Sequence, residues 1–493
     1  MTDRSADQPL VAANQRIYVL VAAILASAMG FIDGSVTSIA TPAIRSSIGA
    51  SLADAQWVSN AYLLMLSSLL LLGGAASDRF GLRNVFAAGI ALFVVASIGS
   101  ALAPTPAWLI AARAVQGLGA AFMVPGSLAI IAKAYPKEER GAAIGIWAAA
   151  SSLTTLLGPV LGGLVLTWLG DWSWRLIFAL KLPLGGIALT LLLKTPVDRP
   201  EAGRRLDIVG AAGATVALLL ISLAFIDNEG GRFWPYLVGG LVVLGLFLFW
   251  ETRSKAPMLP LGLFKDKAFS GAQGLTFVLY FGLSAVTFYL PMTLIAGWGV
   301  SPAFVALAIL PLGIALTLLS PFAGKVTDRV GPGPVLAGGS LVVGLAFLGL
   351  GLTTSLHNLW FVTLPLMVLF GIGMSFVAGP VSTAVMTSVA DRDTGTASAI
   401  NNAVARVAGL FAVATMGALA ALVFARATSM MSGTDFGMVP TTALDATAEA
   451  VRVAATDAAF ATICYVTAGL AVVAAVLAWT TQTHKGKAAA ASS

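Results

Sequence analysis

Apolar runs about 20 residues long recur along the whole chain, joined by short polar stretches, and each is long enough to cross a bilayer as a helix. In lipid each backbone N–H and C=O must be satisfied within the protein, so runs of that length are helices. Fourteen can be placed. The first six lie near 17–40, 56–76, 84–103, 107–132, 141–168 and 174–193. Two follow near 208–226 and 235–251, and six more near 269–292, 302–324, 333–353, 359–383, 397–424 and 458–480. At roughly 21 residues each they occupy about three fifths of the chain, which leaves no room for a substantial extramembrane domain.

Composition closes the alternatives. Charged residues make up 10% of the chain and apolar ones 58%, whereas an average soluble protein carries about 25% charge. A soluble enzyme of this length is excluded, and an all-α integral membrane protein is expected. The one cysteine, Cys464, permits no internal disulfide. No G-x-x-x-x-G-K-[ST] loop occurs, so no nucleotide-driven motor and no nucleotide partner are expected. His357 and His484 fall outside the runs and no metal-ligand spacing exists, which speaks against a membrane-embedded enzyme or receptor with a catalytic cluster. No nucleic-acid partner is expected either. The first run passes into Asp33 and Arg45 without a small-residue cleavage site and reads as a retained span.

The few charges test the map. With both termini placed in the cytoplasm, 20 of the 28 Lys and Arg fall on the cytoplasmic side, including Arg79, Arg83, Lys133, Lys137, Arg140, Arg204, Arg205, Arg253, Lys255, Lys265, Lys267, Lys325 and Arg329. Five fall outside: Arg45, Arg175, Arg232, Arg426 and Arg452. Three lie within spans: Arg113, Lys181 and Arg406. Such a bias supports an even number of spans with cytoplasmic ends.

An internal repeat spaced about 250 residues apart completes the organisation. Gly74-x3-Asp78-Arg79-x-Gly81 after the second run is matched by Gly324-x3-Asp328-Arg329-x-Gly331 after the tenth, and Pro125-x3-Ala129 by Pro380-x3-Ala384. Parallel repeats of this kind predict two homologous six-helix bundles with a substrate path between them. The expected layout is a tail at 1–16, a bundle at 17–193, an inserted pair with flanking loops at 194–268, a second bundle at 269–480 and a tail at 481–493. The outer loop 425–457 is expected to hold a short surface helix near 443–456. Trp168, Trp172, Trp174, Trp234, Trp298 and Trp360 lie near run ends and read as interfacial anchors.

Five patches carry a more specific pattern. They are Phe31-Ile32-Asp33-Gly34-Ser35-Val36 running to Ala40-Thr41-Pro42; Gln56-Trp57-Val58-x3-Tyr62-Leu63-Leu64; Gly74-x3-Asp78-Arg79-Phe80-Gly81-x-Arg83; Arg113-x2-Gln116-Gly117-x-Gly119-Ala120; and Gly158-Pro159-x-Leu161-Gly162-Gly163. In this order, at these span ends, the sequence resembles the major facilitator superfamily and, within it, the fourteen-span drug:proton antiporters of the EmrB/QacA type. The resemblance implies a facilitator fold in a bacterial cytoplasmic (inner) membrane, acting as a monomer, with the proton gradient as energy source and no cofactor. It further implies that the first-span aspartate, Asp33, couples proton and substrate movement. Two positions depart from the family's pattern: Leu82, where a basic residue is usual, and Lys181, where an asparagine is usual.

The residues also speak for themselves. Ionisable groups inside a membrane are costly, so each is a functional candidate. Asp33 lies roughly 10 Å below the outer end of its span and Arg113 roughly 9 Å, at 1.5 Å per residue. Lys181 is about seven residues into its own span, in the same layer. Burial favours a neutral carboxyl and neighbouring cations favour the charged form; between them Asp33 can exchange a proton, or form a static pair with Arg113. Lys181 can pair with Asp33, titrate in its place, attract an anion or snorkel outward. One acid against three bases, with no acid in 302–324 ahead of Lys325, argues against a dication site.

Gly158, Gly162 and Gly163 allow a neighbouring helix close approach and Pro159 favours a bend, as ordinary packing or as part of gating. Asp78, Arg79 and Arg83, with Asp328 and Arg329 in the repeat, form either a positive-inside anchor or a latch between states. Candidates for the cavity wall are Trp57, Tyr62, Gln116, Trp147, Gln273, Phe277, Tyr280, Phe281, Tyr289 and Met374, with Asn401 and Arg406 near the midplane. The expected function is proton-coupled export of amphipathic compounds by alternating access; the alternative is a dedicated transporter of an endogenous, anionic metabolite or lipid.

Overall fold

The computed structural model describes residues 11–198, 206–227, 229–428, 431, 434–440 and 443–490. Arg204 and Arg205, assigned above to the cytoplasmic side, lie outside the described residues. Among the described residues fourteen helices are long and apolar enough to cross a membrane, and there is no strand. They are α1 (Ala13–Ile48), α2 (Leu52–Phe80), α3 (Leu82–Ala101), α4 (Pro106–Ala134), α5 (Lys137–Leu169), α6 (Asp171–Leu193), α7 (Ile208–Ile226), α8 (Phe233–Arg253), α9 (Lys267–Gly297), α10 (Pro302–Val330), α11 (Pro332–Leu356), α12 (Leu359–Thr387), α13 (Asp391–Ala427) and α14 (Ala446–Thr483).

Two six-helix bundles result. In the first, α4 packs on α2 and α3, and α1 packs on α5, α6 and α4. In the second, α11 packs on α14 and α12, α10 on α12, and α9 on α14 and α13. The bundles meet along two seams, α2 against α13 and α5 against α10, with α1 also reaching α9. Of the inserted pair, α7 lies over the α2–α13 seam, where Leu64, Leu218 and Leu410 form a small apolar cluster. Helix α8 packs on α7 and turns Leu241, Val242, Leu246 and Phe249 outward.

The repeated loops share one backbone device. Gly81 ends α2 and precedes α3 at φ +90°, and Gly331 ends α10 and precedes α11 at φ +82°. Only glycine occupies that region without cost, which explains the repeated glycine at the tight reversal. Near Gly81 the turn is held by a residue the motif does not contain. Asp198 accepts hydrogen bonds from the backbone N–H of Leu82 (2.9 Å) and Arg83 (3.0 Å), and pairs with Lys133 at 3.5 Å. Arg83 in turn donates to the Leu192 carbonyl.

Two expectations are corrected. No separate helix forms near 443–456, because the last helix runs unbroken from Ala446 to Ala490. Its first turns are rich in Ala, the best helix former, with no Gly or Pro to stop them. Arg452 docks that stretch onto the bundle through the Ala296 carbonyl at 2.8 Å. Trp174, expected at the interface, is fully buried and meets Phe178 edge-on at 5.9 Å. By contrast Trp168, Trp172, Trp234 and Trp360 are exposed.

Candidate transport site

A cavity of about 1530 Å³ separates the two bundles. It runs from the level of Asp33 to Asp78, Lys133, Asp393 and Gly395, at the face of the molecule that carries the repeated loops. At the opposite face the bundles are joined. Gln56 on α2 donates to the Tyr289 hydroxyl on α9 (3.0 Å) and to the Val413 carbonyl on α13 (2.9 Å), and Tyr289 donates to the same carbonyl. Beyond them Arg45, buried at the end of α1, pairs with Asp435 at 2.7 Å and donates to the Phe436 carbonyl. Asp435 also accepts from the Leu52 backbone. The loop between α13 and α14 thus supplies a clasp to the first bundle.

Asp33 is fully buried on α1, at the cavity wall. Arg113 on α4 reaches both carboxylate oxygens through Nη1, at 2.8 and 2.6 Å. Lys181 on α6 pairs with Oδ1 from behind, away from the cavity. The lysine is turned inward where α6 is interrupted: Pro183 has no N–H to offer the Ala179 carbonyl, and the helical ladder breaks at Leu180. Its ammonium sits 4.4 Å from the centre of the Phe178 ring and 5.7 Å from that of Phe93. Arg113 is fixed by the Val58 carbonyl (2.9 Å) and Gln116, and its guanidinium lies 4.4 Å from the centre of the Tyr62 ring. Gln116 donates to Ser97 at 2.8 Å. Each of the three buried charges has an opposite charge within hydrogen-bond reach, as burial away from water requires. Lys181 is buried and paired with Asp33, so it does not snorkel outward.

The span-5 glycines face two neighbours. A Cβ on Gly158 would stand 3.2 Å from Ser35 Oγ, and one on Gly162 would run into Val36, both on α1. A Cβ on Gly163 would stand 2.6 Å from the Pro302 carbonyl oxygen and 2.9 Å from Ala306, across the seam on α10. On this seam the Ala303 N–H donates to Thr167. Pro159 borders the cavity.

The motif residues divide between the two halves. Gly74 and Asp78 line the cavity mouth, whereas Arg79, Asp328 and Arg329 are exposed and make no ion pair with a described residue. Of the wall candidates, Tyr62, Trp147, Tyr280, Met374, Asn401 and Arg406 line the cavity. Trp57, Gln116, Gln273, Phe277, Phe281 and Tyr289 do not. Gln116 belongs to the charge cluster, Tyr289 to the seal, and Phe277 packs on Phe281 and Phe411. Trp57 is partly buried away from the cavity, and Gln273 is buried with neither side-chain polar atom bonded.

Three residues with structural roles here carry no signal in the linear pattern: Asp198, Asp435 and Glu251. Glu251 on α8 and Asp207, ahead of α7, are both buried, and Asp207 accepts from the Gly210 N–H and the Trp250 indole. Only their partners, far away in the chain or across a helix pair, give them meaning.

Known proteins agree with this architecture. The family model described as Major Facilitator Superfamily matches residues 23–413 and 274–492. The puromycin resistance protein of Streptomyces alboniger is 33% identical, over 94% of this chain and 91% of its own. The multidrug resistance protein Stp of Mycobacterium tuberculosis is 32% identical, over 82% and 76%. The methylenomycin A resistance protein of Streptomyces coelicolor is 30% identical, over 80% and 84%. Among solved structures, an inward-facing bacterial homologue of the lysosomal transporter Spinster superposes with a TM-score of 0.69 at 16% identity, over 96% of this chain and 99% of that one. A D-xylose–proton symporter superposes at 0.65 and 17%, over 94% and 97%. With two six-helix bundles around a central cavity and a matching family model over most of its length, the chain belongs to the major facilitator superfamily, a family of membrane transporters.

Proposed function

We propose that the protein is a proton-coupled antiporter that exports amphipathic drugs or toxic small molecules from the cytoplasm, of the EmrB/QacA type, in a bacterial cytoplasmic (inner) membrane. Both termini and the loop-bearing face would be cytoplasmic, so the cavity is open to the cytoplasm and closed outside by Gln56, Tyr289 and Arg45. The segments 17–193 and 269–480 would be the two moving bodies of a monomer, 194–268 an inserted pair, and 1–16 and 481–493 tails. The lipid bilayer, protons and a small-molecule substrate are its partners, and no cofactor is needed.

One observation carries this reading: a buried carboxylate at the wall of the cavity, clamped by two cations from different helices. In the cytoplasm-facing state that clamp is the proton-released form. When the cavity faces outward, a proton on Asp33 cancels its charge and frees Arg113 to move. The turn back to the cytoplasm restores the pair and expels the proton, and binding of cargo favours the opposite turn. Two ligands that favour opposite turns of one two-state machine are thereby exchanged. The glycines at 158, 162 and 163 let α5 slide against α1 and α10 during the turn.

The test is transport by reconstituted protein. In proteoliposomes with an imposed pH gradient, the native chain should accumulate a fluorescent drug against its gradient. Asp33→Asn should lose the uphill phase while retaining downhill exchange. Undiminished uphill movement by that variant sinks the coupling assignment.

A further inference from the structure

Among the described residues, Asp33, Arg113, Lys181 and Arg406 are charged side chains set well inside the membrane-length helices, and the first three form the cluster just described. Asp33 is used twice over, by Arg113 and by Lys181. The fourth, Arg406, stands on α13 on the opposite wall of the same cavity. It is partly buried and forms no hydrogen bond or ion pair with any described residue. Asp78, Asp207 and Asp393, the acids near the mouth, form no ion pair with it. Asp393 is on the same helix but thirteen residues away, roughly 20 Å along the axis. Asp207 is already engaged by Gly210 and Trp250.

A guanidinium at membrane depth is costly without an opposite charge or a set of acceptors. Its planar fork matches a carboxylate through two parallel N–H···O bonds, a geometry an ammonium does not offer. The wall around it suits the rest of such a molecule. Tyr62 and Tyr280 lie within electrostatic reach of Arg406, and Trp147 and Met374 supply apolar surface in the same cavity. Away from the mouth the one carboxylate on the wall, Asp33, is already paired, so a molecule that reaches this depth meets the positive charge of Arg406.

We propose that Arg406 is the cargo anchor, and that the cavity selects amphipathic weak acids: an aromatic or otherwise apolar body carrying a carboxylate or a comparably planar anionic group. This rests on the reading of the cavity as the cargo site. The acid docks on the second bundle while Asp33 exchanges its proton on the first, so cargo and proton occupy opposite walls. A cationic amphipath meets like charge at Arg406 and is disfavoured.

The proposal is tested by binding to the full-length protein in lipid nanodiscs without any gradient, so that loss of coupling has no bearing on the result. The probes are pyrene-1-butyrate, its methyl ester, and a pyrenylbutyl trimethylammonium ion, read by energy transfer from tryptophan. The native protein should bind the acid at least about tenfold tighter than the ester, a difference of about 1.4 kcal/mol, and the cation most weakly. Arg406→Gln should erase the preference for the acid and leave ester binding within about twofold, which also reports an intact fold; Arg406→Lys should restore part of it, because it keeps the charge without the fork. Equal affinity for acid and ester in the native protein, or an unchanged preference in Arg406→Gln, overturns the anchor. Absence of binding by all three probes overturns the cargo-site reading and the anchor with it.

Discussion

The two bundles share a repeat but not an interior. Both reverse through a positive-φ glycine at the same loop position, Gly81 and Gly331, and both carry a proline inside the matching helix, Pro125 and Pro380. The first bundle also holds a three-residue charge cluster with every group paired. The second presents Arg406 to the cavity, with Asp393 at the mouth, over an apolar core that includes Phe347, Phe370 and Met374. What is common to the halves is the hardware of bending and reversal. What differs is chemistry: the buried, paired charges belong to one half alone.

The strongest way to break this contrast is to disarm the charged half. Asp33→Asn strands two buried cations and should lower folding stability by about 3–5 kcal/mol. Adding Lys181→Met removes one stranded cation and should restore part of the loss. Thermal unfolding of both variants in the same detergent decides it; no recovery in the double variant would mean that Lys181 and Asp33 are not energetically paired.

A smaller effect is expected at the seam. Gly163→Leu places a side chain where the Pro302 carbonyl lies, and overpacking of this kind costs about 1–3 kcal/mol. The cost falls on the state in which α5 and α10 touch. The variant should therefore show increased labelling of a cysteine introduced on the sealed face, together with slower drug efflux. Unchanged labelling would remove Gly163 from the moving contact.

The smallest effect compares the two loops directly. Asp78 borders the cavity mouth and has a partner, whereas Asp328 is exposed without an ion pair. Asp78→Asn should slow transport about tenfold, about 1.4 kcal/mol in activation free energy, and Asp328→Asn by less than about twofold, the small effect of an exposed charge. Equal losses at both would show that the halves use their loops alike.

Much of this was legible from the linear chain. Fourteen spans, the repeat and the shared depth of Asp33, Arg113 and Lys181 followed from hydropathy, spacing and the rise of a helix. The helical face was not legible. A cavity wall, a lipid-facing surface and a bundle core are all apolar here, so periodicity cannot say which way Trp57, Gln273 or Phe277 points. Pairings between distant segments were equally hidden. Arg45 reads as an outer-loop cation until Asp435, 390 residues later, is folded beside it. Asp198 reads as linker until it is seen to hold the turn at Gly81.

The position of α7 over one seam has a consequence for how oily molecules reach the cavity. When two bundles part on one side of a membrane, a slot opens to the hydrocarbon along each line where they had touched. Here the α2–α13 line is roofed by a helix, and among the described residues no helix covers the α5–α10 line. A compound dissolved in the leaflet on the loop-bearing side would therefore meet one sideways door rather than two, away from the inserted pair.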